Sequence, residues 1–203
     1  MMMMMMSCVL HEAGTVAAVE MQATGDNWEI DVFERLVIRD QQRSLETSTF
    51  LLPTATTGVW SSSNVLLTTP LRDYSVNDYR QFFDAIGHPE GQFKVEAMQA
   101  AEYDLLVRDL GVPIYCFYSS GIPTAERLIY DTIAAFPDSK PRLEMGDGDG
   151  TVNLRSLEAC QLWKKVELKH SLNVKHYPDV EHNELLHHPE LIADVLRIAG
   201  RAQ

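Results

Sequence analysis

The feature that most constrains the fold is a run of eight residues, VPIYCFYS at positions 112–119, in which apolar side chains occupy consecutive positions. Such a run is typical of a strand that is buried on both faces. Gly121 and Pro123 follow it and end the strand. A strand of this kind needs neighbouring strands and covering layers, which predicts a sheet inside a layered domain.

Helical and extended patterns alternate around this strand. Residues 75–78 (SVND) predict an N-cap, and the apolar residues that follow are spaced three and four apart until Gly87. Residues 142–145 (RLEM) predict a second strand and residues 166–177 a third. Further helices are predicted at about 14–24, 94–110 and 153–163, and over a last segment that carries Leu191, Val195 and Ile198. Strands that alternate with helices predict an α/β fold with a parallel sheet flanked by helices.

One segment fits neither pattern. Residues 28–43 mix Trp28, Ile30 and Phe33 with charged residues and show no clean period. The segment therefore favours an irregular, half-apolar loop over a helix or a strand. It follows Gly25, Asp26 and Asn27, which form a strong turn or C-cap signal.

Charge and composition exclude some functions. The formal net charge of −12 disfavours nucleic acid, because duplex binding requires basic residues that displace counterions. It also disfavours electrostatic attraction to an anionic membrane, so any contact with lipid should use apolar surface. No apolar run approaches the roughly 20 residues that span a bilayer.

Two polar residues stand in loops after predicted strands, where functional groups of α/β sheets lie. Asp149 is part of a glycine-rich loop, GDGDGT at 146–151, and His182 follows the next predicted strand, 33 positions later. This is the end of the Ser…Asp…His order of α/β-hydrolases. In such a triad the carboxylate orients the imidazole, and the imidazole takes the proton of the serine.

Other interpretations of these residues stay open. Residues 146–151 also suit a tight turn whose aspartates cap the helix that begins near Asn153. A calcium loop is disfavoured, because a third oxygen ligand and the distal Glu are absent at the required spacing. His176, His182 and His187 form no HExxH motif, which leaves no metal site and no cofactor predicted.

The sequence contains no G-x-S-x-G nucleophile elbow. The nearest candidate, Ser119-Ser120-Gly121, lacks the preceding glycine, and residues 61–63 are a polar serine run.

Six ordered motifs resemble the lecithin:cholesterol acyltransferase and lysosomal phospholipase A family. They are TGDN (24–27), IRDQQRS (38–44) followed by LLP (51–53), TTPLRDYSVNDYRQFFDAIG (68–87), IYCFYSSGIPTAE (114–126), GDGDGTVNLRSLEACQLW (146–163) and EHNELL (181–186). The resemblance extends from about Gly14 to the C-terminus. It implies the C-terminal part of an α/β-hydrolase fold, an incomplete domain that includes a lid and part of the cap region.

The resemblance also implies roles for particular residues. Asp149 matches the acid of the family's triad and His182 its base, while Cys116 and Cys160 match a pair that forms a disulfide. Residues 25–43 match the lid over the acyl-binding site, with five candidate lid or substrate residues: Gly25, Asp26, Asn27, Trp28 and Arg43.

The chain departs from the family at its start. Residues 1–13 resemble no part of it, and the six methionines predict neither a helix nor a strand. This leader has no positive region before its apolar residues, so it is a poor signal peptide. The family's N-terminal half, with the serine nucleophile, has no counterpart in this sequence.

The resemblance implies a lipid O-acyltransferase or phospholipase A that moves a fatty acyl group from glycerophospholipid to water, a sterol or a ceramide. Its partners would be a phospholipid or lipoprotein surface and its location lysosomal or extracellular. Without a serine, this polypeptide alone is expected to be inactive. The alternative is a truncated, non-catalytic relative that binds lipid or a partner protein.

Overall fold

The structure is a computed structural model that describes residues 5–8, 13–26, 34–106 and 109–201. It is a mixed α/β arrangement with two sheets. The strands are β1 (Met5–Cys8), β2 (Leu67–Thr68), β3 (Asp73–Tyr74), β4 (Ile114–Ser120), β5 (Ile122–Ile129), β6 (Arg142–Gly148) and β7 (Leu172–Pro178). The α-helices are α1 (Val16–Thr24), α2 (Arg35–Ser44), α3 (Glu46–Phe50), α4 (Tyr79–Ala85), α5 (Gly91–Leu106), α6 (Leu154–Leu157), α7 (His182–Leu185) and α8 (Pro189–Arg201).

The first sheet is parallel and has the order β1-β4-β7. The predicted strand of residues 112–119 is confirmed as β4, the central strand. Its buried side chains pack on both faces, since Ile114 and Cys116 join one core cluster and Phe117 another. The expectation that the methionine run forms no strand is wrong for Met5 and Met6, because they begin β1 and pair with β4.

The second sheet has the order β3-β2-β5-β6 and is mostly antiparallel. The prediction of one parallel sheet is therefore wrong for β6, which pairs antiparallel with β5. β5 was not predicted, because it begins one residue after β4, where Gly121 and Pro123 indicate only a strand end. Gly121 has φ +96°, and this left-handed conformation lets the chain pass directly from one sheet to the other.

Helices cover both sheets. α1 is buried at seven of its nine residues and lies in the largest core cluster with Trp60, Leu67 and Phe82. α6 and the following 3₁₀ helix (Glu158–Lys165) pack on one face of β4, while α7 and α8 pack on the other. None of the helices within the described ranges is long and apolar enough to cross a bilayer.

A disulfide between Cys116 and Cys160 joins β4 to the 3₁₀ helix. Both residues are almost fully buried, at 2% and 1% exposure, and they lie in the same core cluster as Trp163. The pairing that the family resemblance implied is present in the structure.

Replacing both Cys116 and Cys160 with serine should lower the free energy of unfolding by about 4 kcal/mol in the chain-entropy model. The reason is that the bond closes a loop between residues 44 positions apart. Guanidinium denaturation measures the change. The Cys8→Ser variant, which removes the third thiol and leaves this disulfide intact, is the control and should keep the midpoint. An unchanged midpoint in the double variant would contradict the prediction.

Candidate active site

Asp149 lies directly after β6 and is 1% exposed. Its Oδ1 accepts hydrogen bonds from the amides of Thr151 at 3.1 Å and Val152 at 2.7 Å. Its own amide donates to the carbonyl of Val152 at 3.2 Å. The loop therefore folds back on the carboxylate and supplies two of the donors that a buried anion requires.

His182 supplies the next contact of this carboxylate. Its Nδ1 lies 2.8 Å from Oδ2 of Asp149, and its backbone amide donates to the carbonyl of Asp149 at 2.8 Å. A carboxylate accepts hydrogen bonds and does not donate them, so the shared proton belongs to Nδ1 of His182. The His182 side chain is 14% exposed, whereas that of Asp149 is fully covered.

The two residues come from different sheets. Asp149 follows β6 in the second sheet, and His182 is the first residue of α7, four residues after β7 of the first sheet. They meet where β4 passes into β5: the amide of Asp179, after β7, donates to the carbonyl of Ser120 at 2.7 Å, and Ile122, the first residue of β5, forms a bridge with Asp149. The sequence predicts His182 in the loop just before the final helix; in the structure it is instead the first residue of the short helix α7, which precedes that final helix.

Two threonines that sequence patterns did not single out hold the acid loop. Thr15 Oγ1 donates to the carbonyl of Thr151 at 2.5 Å, and the amide of Gly150 donates to Thr124 Oγ1 at 2.8 Å. Gly148 leaves no room for a side chain, because a Cβ would lie 2.2 Å from the carbonyl oxygen of Val152. Thr15 is 136 positions from Thr151, so no local pattern reveals its contact.

An oriented carboxylate–imidazole pair performs general acid–base chemistry. The carboxylate holds the imidazole in one tautomer, so that Nε2 can take a proton from a nucleophile and later return it. Within the described part of the chain, no group of three His, Cys, Asp or Glu residues is arranged as a metal site. The hydrogen bond between Nδ1 of His182 and Oδ2 of Asp149 supports proton transfer by these side chains.

The candidate serines Ser119 and Ser120 are not on a nucleophile elbow. Ser119 and Ser120 are the last residues of β4, and Gly121 leads into β5 and not into a helix. A nucleophile elbow requires a sharp strand-to-helix turn. Ser120 Oγ instead lies 2.8 Å from His176 Nε2.

The candidate lid residues are only partly described, because Asn27 and Trp28 lie outside the described residues. Gly25 ends α1 in a left-handed conformation, with φ 73°. Asp26 accepts a hydrogen bond from Gln42 Nε2 through its carbonyl oxygen at 2.8 Å. These contacts belong to the junction of α1 and α2.

Arg43 also belongs to that junction. It is 6% exposed, and its guanidinium donates to the carbonyls of Gln22 at 2.9 Å and Ala23 at 3.3 Å. Burial, together with the nearby charge of Arg39, lowers the pKa of Arg43 to about 10. Arg43 thus caps the C-terminal end of α1.

The prediction of an irregular loop over residues 28–43 is wrong for residues 35–43, which form most of α2. The inward-facing residues of α2 are arginines spaced four positions apart. Arg35 and Arg39 contact Asp138, and Arg43 contacts α1. Leu36 and Val37 stay exposed, at 43% and 71%. A search for an apolar helical face therefore misses this helix.

A titratable group lies in the same region. Burial, and then the negative charge of Asp26, raises the pKa of Glu20 from 4.5 to about 7, although Lys140 and Arg35 oppose the shift. In the folded chain Glu20 is therefore mostly neutral below the raised pKa of about 7 and mostly ionised above it.

Comparison with known proteins gives the following matches. A family model described as lecithin:cholesterol acyltransferase matches residues 4–106 and 94–195. The chain is 38% identical over 151 residues to "Lysosomal phospholipase A and acyltransferase" of Canis lupus familiaris and to that of Homo sapiens. It is 35% identical over 153 residues to "Phosphatidylcholine-sterol acyltransferase" of Gallus gallus. Each match covers 74% of this chain and 35% of the relative, so the chain spans about a third of the relatives' length.

Replacing Asp149 with asparagine should move the imidazole proton of His182 from Nδ1 to Nε2. The amide group keeps an oxygen for Thr151 and Val152 but presents a donor to His182, so Nδ1 must accept. The ¹⁵N resonances of the imidazole report the tautomer. Asp147→Asn is the control, because Asp147 Oδ1 accepts only from Gly121 among the contacts described. Retention of the Nδ1 proton in Asp149→Asn would contradict the assignment.

The Glu20→Gln variant should remove a pH dependence of stability. A carboxyl whose pKa is raised from 4.5 to about 7 stabilises the fold fully below pH 4.5 and loses that contribution as the pH rises to about 7. At pH 8 the variant should be more stable than the unsubstituted chain, by on the order of 2–3 kcal/mol. At pH 4.5 the two should be nearly equal.

Urea denaturation at the two pH values measures both differences. Glu46→Gln removes an exposed carboxyl and serves as the control. If Glu20→Gln and Glu46→Gln change the free energy of unfolding equally at pH 8, burial of Glu20 does not cause the pH dependence of stability.

Proposed function

Because the chain belongs to the lecithin:cholesterol acyltransferase family, we propose that Asp149 and His182 are the acid and the base of a Ser-Asp-His triad that transfers fatty acyl groups. The observation that carries the proposal is the 2.8 Å contact between Oδ2 of Asp149 and Nδ1 of His182. The order of the two residues along the chain agrees with the end of the α/β-hydrolase order.

In the proposed reaction, His182 takes the proton of the serine hydroxyl while the serine attacks the ester carbonyl of a glycerophospholipid. The proton then goes to the leaving alcohol, and an acyl-serine remains. Water or a lipid alcohol, a sterol or a ceramide, then attacks this ester while His182 takes its proton. The acyl–serine bond breaks, the acyl group leaves as a fatty acid or as the new ester, and His182 returns the proton to the serine oxygen. Asp149 orients the imidazole and stabilises the imidazolium that forms in both steps.

The serine of this triad is proposed to come from a polypeptide segment outside these 203 residues. The sequence has no G-x-S-x-G, and Ser119 and Ser120 end a strand that continues into another strand. The relatives are about three times as long as the matched region, since the match covers 35% of each. On this proposal the 203-residue polypeptide alone does not release fatty acid.

We further propose that residues 14–203 correspond to the C-terminal part of an α/β-hydrolase domain. Residues 5–8 belong to the same domain and not to a separate leader, because β1 pairs with β4 and the family match begins at residue 4. Support comes from the parallel sheet β1-β4-β7, its helices on both faces, and an acid and a histidine after strands. A disulfide requires an oxidising compartment, which agrees with a lysosomal or extracellular location. The proposed partners are a phospholipid or lipoprotein surface and a lipid alcohol.

A chimera tests the proposal. It joins the part of the Canis lupus familiaris relative that precedes the matched region to residues 14–203 of this chain. We expect it to release fatty acid from phosphatidylcholine vesicles, and His182→Ala should lower the rate about 10²- to 10⁴-fold, the usual contribution of a general base. His187→Ala, an exposed neighbour on the same segment, is the matched control and should leave the rate unchanged.

The alternative, a non-catalytic relative that binds lipid, makes a different prediction. A chimera that folds, binds the vesicles and releases no fatty acid would support that alternative and reject the triad. Labelling of the 203-residue chain itself by a fluorophosphonate would instead reject the proposal that the nucleophile lies outside it.

A further inference from the structure

Asn153 ends the acid loop and occupies the N-cap position of α6. An asparagine at this position ordinarily accepts a hydrogen bond from an amide in the first turn of its own helix. Asn153 makes no such bond with its side chain, although it is completely buried, at 0% exposure. Its amide group therefore serves a purpose other than capping α6.

The side chain of Asn153 instead connects two distant elements. Its Oδ1 accepts from the amide of Val16 at 3.1 Å, at the first residue of α1. Its Nδ2 donates to the carbonyl of Ala125 at 2.8 Å and to Oε2 of Glu126 at 2.9 Å, both in β5. An amide donor on one side and carbonyl and carboxylate acceptors on the other fix the orientation of the side-chain amide.

The side chain of Asn153 contacts β5 at a β-bulge of that strand. The pairing of β5 with β6 shifts register between Ala125 and Arg127, so Glu126 is the extra residue of a β-bulge. A bulge leaves backbone groups without partners in the ladder, and Nδ2 of Asn153 satisfies the carbonyl of Ala125. Glu126 is held in turn by Arg155, which lies two residues after Asn153.

The backbone of Asn153 closes the loop that carries Asp149. Asn153 forms an antiparallel bridge with Gly148, so residues 149–152 are enclosed between two anchored positions. Val152, whose amide makes the shorter bond to the carboxylate, is the immediate neighbour of Asn153. A displacement of Asn153 must therefore move the amide that holds Asp149.

We propose that Asn153 is a positioning residue for the Asp149–His182 pair, which it keeps in place by bridging α1 and the bulge of β5. The inference rests on the proposed function, because it assigns a purpose to the fixed position of Asp149. Asn153 acts only through the loop, and its contacts described above include neither Asp149 nor His182.

Proton NMR of the 203-residue chain tests the proposal. The Nδ1 proton of His182, shared with a buried carboxylate, should give a separate resonance at low field in the unsubstituted chain. Asn153→Ala should lose this resonance, because the side-chain hydrogen bonds to Val16 of α1 and to β5 are both removed. Asn153→Asp should also lose it, because the new carboxylate faces the acceptors of Ala125 and Glu126, although it still accepts from Val16.

Trp60→Phe is the matched control. It removes the hydrogen bond from Trp60 Nε1 to Ser156 Oγ, a buried contact of 2.9 Å on helix α6, and keeps an aromatic ring beneath the Arg155 guanidinium and all the side-chain bonds of Asn153 given above. It should lower the melting temperature and keep the resonance. This outcome separates the positioning of Asp149 from a general loss of stability.

Each remaining outcome decides against one claim. Absence of the resonance in the unsubstituted chain rejects the Asp149–His182 pair, and with it the proposed function. If the resonance is present both in the unsubstituted chain and in Asn153→Ala, the Asp149–His182 pair stands and the positioning role of Asn153 is overturned. Failure of both Asn153 variants to fold, while Trp60→Phe folds, also overturns that role and makes Asn153 a determinant of the fold.

Discussion

Burial of the Asp149 carboxylate is the constraint on which this region of the structure depends. A charged group taken out of water is costly unless hydrogen bonds replace its solvation. Asp149 obtains them from two amides of its own loop and from His182. The loop must therefore close tightly, which is why Gly148 lies where no side chain fits and why Gly150 has φ +88°. Closure of the loop around the carboxylate thus accounts for two of the three glycines of this segment, Gly148 and Gly150.

The sequence predicted those parts of the structure that follow from local patterns. β4 was predictable because its apolar residues are consecutive, and α4 because a capping segment precedes apolar residues at helical spacing. Asp149 and His182 were predictable as a pair, because loops after strands of an α/β fold converge. β5 was missed because its burial is partial and because it follows β4 without a connecting segment.

The parts that could not be predicted depend on contacts between distant residues. Thr15 and Thr151 are 136 positions apart, and Val16 and Asn153 are 137 apart. α2 was missed for a different reason: its inward face is basic and its exposed face carries Leu36 and Val37. The arginines of α2 face inward because the last carbonyls of α1 need hydrogen-bond donors. The usual rule that the apolar face of a helix points inward fails here.

Hydrogen bonds join α1 to the acid loop at its first residue and to α2 at its last turn. At its first residue, the amide of Val16 donates to Asn153, and the neighbouring Thr15 donates to the acid loop. At its last turn, the carbonyls of Gln22 and Ala23 accept from the arginines of α2. A helix of nine residues is about 14 Å long and is stiff over that length. The buried helix α1 thus connects, through hydrogen bonds at its two ends, the segment that resembles the family's lid to the loop that carries Asp149.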